Sequence, residues 1–481
     1  MLGRNSSEPS FFQMVDMESL VPPDHLLRRI DAVLDLSFVP DAVAECYSPG
    51  KGRPSIDPEL ALRMMLLGIV YNLSDRELCD EIGMHAGMRW FCRLDFHDPV
   101  PDHSTLSRLR NERWAESGLF DRLMDRVIRQ CSEAGLVSGR HLSVDGTEIR
   151  ADASMRSLKR RGPERREEEE PPGSPGAGPG GGEPKPANEW KARGEQYRNR
   201  THVSTTDPDA RLHRKDDSHP AALRYLIHDL IDTKGRVILR RKASEATGGA
   251  ERETGLKMVD EVLEKTEELG LVKQPEVLTA DTGYGSSAFV TAVLDRGLQP
   301  HIPLLANEER EEIPSWQRRT YHVGRMRARQ RRVKEAEARN RVRELMKTRG
   351  YAVSRKLRIR SEHIFAEGKT LHGLDRARRR RLWRVQHQAT LTAVVQNLKR
   401  LVAFQDRKKR AAAVQAVAPM NQRSRRPSSG LICDRVGGVV ARVAVWVRCW
   451  IHPARPDRFA MGKQDPAFCW DEIEKSGGSV K

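Results

Sequence analysis

No two cysteines of this chain stand in C-x-x-C spacing: Cys46, Cys79, Cys92, Cys131, Cys433, Cys449 and Cys469 are scattered singly along 481 residues. That excludes a zinc ribbon and a thioredoxin-like redox motif. Their number is odd and no secretory signal precedes them, so reduced thiols in a cytoplasmic protein are expected. No uninterrupted apolar run is long enough to cross a membrane. The most apolar late stretch, Val439 to Ile451, is broken by Arg442 and Arg448 and alternates as a strand would. Acidic residues are too few to balance the basic ones: 67 Asp and Glu face 84 Lys and Arg, a formal net charge of +17. Such an excess speaks of partners rather than fold, and a polyanion is the natural one, because neutralising phosphates releases counterions. The length suggests roughly three domains.

Residues 1–137 read as helical. Asp57-Pro58 is a helix start, with an acid at the N-cap and proline in the first turn. Leu62, Met65, Leu66, Ile69 and Val70 follow at helical spacing and predict one buried face. Ser74-Asp75-Arg76-Glu77 has the capping-box pattern. A further helix is expected near Asp102–Thr105, carrying Arg108, Arg110 and Arg113. Short helices with exposed arginines suit a helix-turn-helix-like DNA-binding domain, and an ordinary bundle with a charged face would look the same.

From residue 138 the character changes. His141–Asp145 reads as a strand. About 155–200 is a low-complexity insertion, with a Glu167–Glu170 run and then Pro/Gly/Ser-rich sequence that cannot bury enough apolar surface to order itself. Leu223–Ile231, a Thr233-Lys234-Gly235 turn and Val237–Leu239 predict a hairpin. A helix from about Ala250 to Leu269 follows, then a strand over Glu276–Asp281, a helix over Ser286–Arg296, and a strand at His301–Leu304. The order β–β–β–α–β–α–β is that of a mixed α/β layer fold. Residues 306–350 are a basic, helical insertion in which Arg318, Arg319, Arg325, Arg327, Arg329, Arg331, Arg332 and Lys334 crowd together. Like charges that dense repel unless a polyanion meets them, so Arg325, Arg329 and Arg332, with Arg108 and Arg110, are candidate DNA contacts. Leu391, Val394, Val395, Leu398, Leu401 and Val402 predict a closing core helix. The tail, 405–481, is basic and irregular and carries no assignment.

Three acids stand out by position. Asp145 ends the first strand, and Asp281 ends a later one, before the turn Thr282-Gly283-Tyr284-Gly285. In open α/β sheets ligands gather at that carboxyl edge. Glu362 lies where Leu357, Ser361, Ile364, Phe365 and Gly368 repeat at helical spacing. On that helix Arg358, Glu362 and Lys369 fall within roughly 40° of one another, whereas Glu367 points to nearly the opposite side. Alone, Arg358 and Glu362 would read as an i,i+4 ion pair. Together, separated carboxylates and nearby cations suit two-metal phosphoryl transfer, in which hard cations take oxygen ligands.

These residues also carry a resemblance. Val144-Asp145-Gly146-Thr147 resembles the first-aspartate strand of bacterial insertion-sequence DDE transposases, and Thr279-Ala280-Asp281-Thr282-Gly283-Tyr284 is similar to their second-aspartate box. Arg358-(3)-Glu362-(6)-Lys369 matches most of the Tyr-(2)-Arg-(3)-Glu-(6)-Lys signature, with Arg355 standing where the tyrosine is expected. The block from Asp57 to about Arg113 resembles the family's N-terminal helical domain, and Thr206–Arg211 a segment ahead of its hairpin. The resemblance covers roughly residues 10–400. It implies an α/β, RNase H-like catalytic domain over 138–404, a mixed sheet with helices on both faces, behind a helical DNA-binding domain. It also implies Asp145, Asp281 and Glu362 as catalytic residues and ligands of two Mg²⁺ ions, for which Mn²⁺ can substitute. Arg358 and Lys369 are then phosphate or DNA contacts. The implied partners are double-stranded DNA, as terminal inverted repeats and target, and further copies of the chain, assembled on DNA at the nucleoid.

Other readings stay open at this stage. A DNA-binding protein without catalysis, or a decayed transposase copy, needs the basic patches but not three acids. An RNase H-like nuclease would hydrolyse without strand transfer. Asp152 is a substitute candidate for Asp145, Asp207 and Asp209 read as a turn, and Trp316 as a base-stacking or core tryptophan.

Overall fold

The computed structural model describes residues 16–48, 50, 55–161, 197–214, 220–305 and 323–422, with side chains described up to 322 and over 327–412 of that set. Most of the low-complexity insertion, Trp316, Arg318, Arg319 and the tail past Gln422, with its apolar stretch, lie outside the described residues. Up to Ala416 the chain belongs to one compact unit; a second begins at Val417.

The N-terminal region is helical: α1 (Met17–Leu20), α2 (Leu26–Asp31), α3 (Val39–Val43), α4 (Pro58–Val70), α5 (Asp75–Met84), α6 (Ala86–Phe91), α7 (His103–Arg108) and α8 (Leu119–Glu133). The starts fall where the caps place them. Asp57 accepts from the Glu59 amide, and Ser74 and Glu77 close a reciprocal capping box. One expectation is corrected here. Helix α4 is buried from Ala61 through Ile69 rather than along one face, because α4 is surrounded by other helices. Even Arg63 is inside, held by Asp31 at 2.7 Å and Glu59 at 2.8 Å.

A mixed sheet follows. Strand β1 (His141–Arg150) runs five residues beyond the expected end, because most of β5 (Ala222–Asp232) pairs antiparallel with it, from Leu142↔Asp232 to Arg150↔Arg224. On the far edge of β5 lie β6 (Val237–Glu245) and the short β4 (Arg211–His213), both antiparallel. On the other side β1 pairs parallel with β7 (Val277–Thr279), and β7 with β8 (Gln299–His301). Three antiparallel strands continued by two parallel ones make the RNase H-like order. A separate ribbon, β2 (Leu158–Arg160) with β3 (His202–Ser204), stands at the base of the low-complexity insertion. The hairpin turn needs Gly235, since a Cβ there would lie 2.3 Å from the Leu136 carbonyl oxygen.

Helices cover both faces. On one, α9 (Ala250–Glu264) brings Gly255 against Val144. On the other, α12 (Arg349–Leu371) meets the alternate residues Asp145 and Thr147. Between them in sequence come α10 (Ser287–Asp295) and the basic α11 (Val323–Met346). The last helix, α13 (Leu382–Gln422), continues well past residue 405, where irregular chain was expected; its buried stripe simply gives way to an exposed basic one.

Helix α13 also closes the open edge of β6. Asn397 accepts from the Ile238 amide at 2.9 Å and donates to the Ile238 carbonyl at 2.8 Å. Gln386 does the same at Ala243 and Arg241, with bonds of 2.6 and 2.8 Å. Side-chain amides thus stand in for a neighbouring strand and satisfy an otherwise unpaired edge. Asp207 and Asp209 do more than make a turn. Fully buried Asp207 accepts from Tyr225 and the Arg381 amide, and Asp209 caps α13 at Leu382. Replacing Asn397 with leucine keeps the volume but strands two buried backbone groups. A loss of about 2–5 kcal/mol is expected, read as a lower urea midpoint, and an unchanged midpoint would contradict the edge-closing role.

Candidate active site

The register of β1 with β7 stops at Ser143↔Thr279. Each strand carries an aspartate two residues further on, Asp145 and Asp281, at the point where the two chains part. The turn after Asp281 is held close to the extension of β8 by Gly285, where a Cβ would overlap the Pro303 carbonyl oxygen at 1.9 Å. Helix α12 lies along the same opening and is pinned at three points. Ser354 Oγ bonds His141 at 2.7 Å and His301 at 2.6 Å, Ser361 Oγ donates to Asp145 at 2.7 Å, and Lys369 donates to Thr147 at 2.7 Å. Those pins bring Glu362 to the opening. One cavity of about 580 Å³ is lined by Asp145, Asp281 and Glu362, together with Arg355 and Arg358.

The electrostatics are uneven. Burial pushes the Asp145 carboxyl up to about 6, and neighbouring Asp281 adds to it, although Ser361, the Gly146 amide and Arg358 pull it down. Asp281 Oδ1 is buried without a hydrogen-bond partner. Glu362 is largely exposed and rests 3.7 Å from Arg358. The donors are oxygens, at least one of them buried and unsatisfied, beside a carboxyl whose charge the protein does not balance. Such a set fits a hard divalent cation. Among the described residues no three His, Cys, Asp or Glu side chains are drawn together as a preformed metal cage. Glu362 is turned to Arg358 rather than toward the two aspartates. Asp229, opposite Asp145 in the register, does not compete for a cation, since Arg241 holds both its oxygens at 2.6 Å with neither side chain exposed.

Of the other expected site residues, Lys369 and Arg358 stand at the opening. Arg329 and Arg332 are exposed on α11, and Arg108 is exposed on α7; the side chain of Arg325 lies outside those described. Arg110 is corrected: it is 3% exposed and bonded to Asp75 at 2.6 Å, so it serves the interior rather than a phosphate. Asp152 faces Arg376 and Arg380, away from the cavity lining. Glu367 is held below the usual carboxylate range, despite burial, by His372, Arg400 and Lys399. Sequence reasoning missed Arg355 as a lining residue because it was read only as a missing tyrosine. It also missed Ser361 as a partner of Asp145, since serine on a buried helix face reads as packing.

An aspartate whose folded value lies above its unfolded one holds its proton more tightly when folded. Its contribution to stability is full below about 4 and is lost as pH rises through about 6. Asp145→Asn removes that dependence. Without metal, its stability relative to the wild type should rise by roughly 2–3 kcal/mol between pH 4 and 7.5, measured by denaturation in chelator. A pH-independent difference would refute the assignment of strain to this carboxyl.

Comparison with known proteins agrees with the geometry. Residues 138–398 match the family model described as Transposase DDE domain, and residues 15–112 match one described as Transposase domain. Among solved structures, a piggyBac transposase synaptic complex with hairpin DNA aligns with 60% of this chain and 53% of its own, at 11% identity and a TM-score of 0.25. The chain therefore spans about half the length of that relative.

Proposed function

Since the chain belongs to the DDE transposase family, we propose that it cuts DNA at the ends of its own element and joins the freed 3′-hydroxyl to target DNA. The observation that carries this reading is the shared cavity of Asp145, Asp281 and Glu362, three acids remote in sequence, beside two arginines. Asp145 and Asp281 would hold the divalent cations, with Glu362 completing the set on leaving Arg358. Mg²⁺ bound there, or Mn²⁺ in its place, would supply activation of the attacking water or hydroxyl and stabilisation of the leaving oxygen. Arg358, released by Glu362, and Arg355 orient the scissile phosphate and offset its developing charge. Lys369, anchored to Thr147, sets the depth at which the backbone enters. The exposed arginines of α11, with Arg108, bind the DNA on either side, and copies of the chain pair two ends.

The test uses full-length protein and a duplex carrying the terminal repeat that flanks the gene. Asp281→Ala should lose Mg²⁺-dependent end cleavage by at least about a thousandfold, while gel-shift affinity for the same duplex stays within a few-fold. Retained cleavage would remove Asp281 from the chemistry. Cleavage without any strand-transfer product would leave a nuclease that only hydrolyses.

A further inference from the structure

Across the sheet from α12, three polar groups converge on Gly146. A Cβ placed there would lie 3.3 Å from His228 Nδ1, 3.4 Å from Glu251 Oε1 and 3.5 Å from the Tyr284 hydroxyl. They come from different elements: His228 from β5, opposite Gly146 in the register, Glu251 from the first turn of α9, and Tyr284 from the turn after Asp281. His228 is 0% exposed and bonds Ser244 through Nε2, but its Nδ1 has no partner. Tyr284 is 1% exposed, and its hydroxyl has none either. Buried polar atoms are rarely left so, and two aimed at one spot mark a place that takes an ion or ordered water.

Glu251 is the charged member. Among the described residues no lysine or arginine forms an ion pair with it, and burial and then Asp281 hold its carboxyl above the usual range, although His213 and Arg252 pull it down. Two half-buried carboxylates in each other's field repel, and a divalent ion shared by them would turn that repulsion into attraction. We propose that Glu251 is a fourth carboxylate ligand of the cation site, reaching the ion at Asp281 from the face of the sheet opposite α12, with His228 and Tyr284 hydrogen-bonded to water on that ion. This rests on the reading above that Asp281 holds a divalent cation. Glycine at position 146 follows from it, since any side chain would fill the space where these groups meet.

Mn²⁺ titration of the full chain without DNA, followed by calorimetry or by the free-ion paramagnetic signal, tests this apart from activity. Glu251→Gln should weaken Mn²⁺ binding by about tenfold or more, with a metal-free melting temperature no lower than that of the wild type, because a repulsion has been removed. Glu253→Gln, two residues along and exposed in a pair with Lys257, should bind as the wild type does. Asp281→Asn is titrated alongside. If it loses Mn²⁺ while Glu251→Gln keeps wild-type affinity, the role of Glu251 is overturned and the active-site reading stands. If Asp281→Asn also keeps wild-type affinity, both fall. Should the glutamine form not fold, Glu251→Asp, which retracts the charge by one methylene, is read instead: a weakening of threefold or more supports the role, and unchanged affinity overturns it.

Discussion

The brevity of one strand pairing governs this site. Strands β1 and β7 share only three residue pairs, after which β1 stays with β5 and the chain after β7 turns away. A longer parallel ladder would have put Asp145 and Asp281 side by side within the sheet, their backbones joined and their side chains on one face, a single strand spacing apart. Parting at Ser143 and Thr279 instead opens a mouth with an aspartate on each lip. Everything else holds that mouth in shape. Gly285 lets the lower lip pass the β8 extension, Ser354 ties α12 to the histidines of β1 and β8, and Arg241 neutralises Asp229 so that it adds no further charge.

Much of this was legible in the sequence because the signals were local. Caps at Asp57 and Ser74, the Thr-Lys-Gly turn and the alternation around Asp145 each depend on neighbours in the chain; the helices and hairpin formed where these placed them, and the strand at Asp145 began there but ran on to Arg150. Helical phase was enough to separate Glu362, which reaches the cavity, from Glu367, which is bound to Arg400 and Lys399. What escaped depends on partners far away in sequence. Arg110 looked like its exposed neighbour Arg108 until Asp75 drew it inside, and Glu251 looked like an ordinary first-turn acid until the fold set it against Gly146 and within the field of Asp281. Asn397 and Gln386, set among apolar residues, gave no hint that they would finish a sheet edge.

The helical N-terminal region and the sheet share one apolar core, running from Leu27 through Leu123 and Val144 to Leu401. Polar ties reinforce that continuity. Asp75 on α5 binds both Arg110 and Arg379, and Arg378 reaches the Leu73 carbonyl, so the segment between α12 and α13 is fastened to the N-terminal helices. Helix α12 carries Glu362, and the loop that follows it is therefore not free to drift. A helical region built for holding DNA would, in the proposed reading, report directly on the element that completes the site.

Charge then explains why the site stands partly open. Asp145 and Glu251 are each held above the ordinary carboxylate range by burial and by Asp281, so a further carboxylate drawn in beside these three acids would meet negative charge. Glu362 answers by resting on Arg358, exposed to water, where its charge costs little. Cations among the half-buried acids would reverse that preference, since each added carboxylate would then meet positive rather than negative charge. Phosphate arriving at Arg358 would act in the same direction by competing for the guanidinium. Metal and DNA would thus each favour the movement of Glu362 that the other needs, and neither alone would assemble the full set of ligands. In the proposed reading, dependence of Glu362 on bound DNA would restrain hydrolysis, and that restraint would follow from a single exposed ion pair beside half-buried acids.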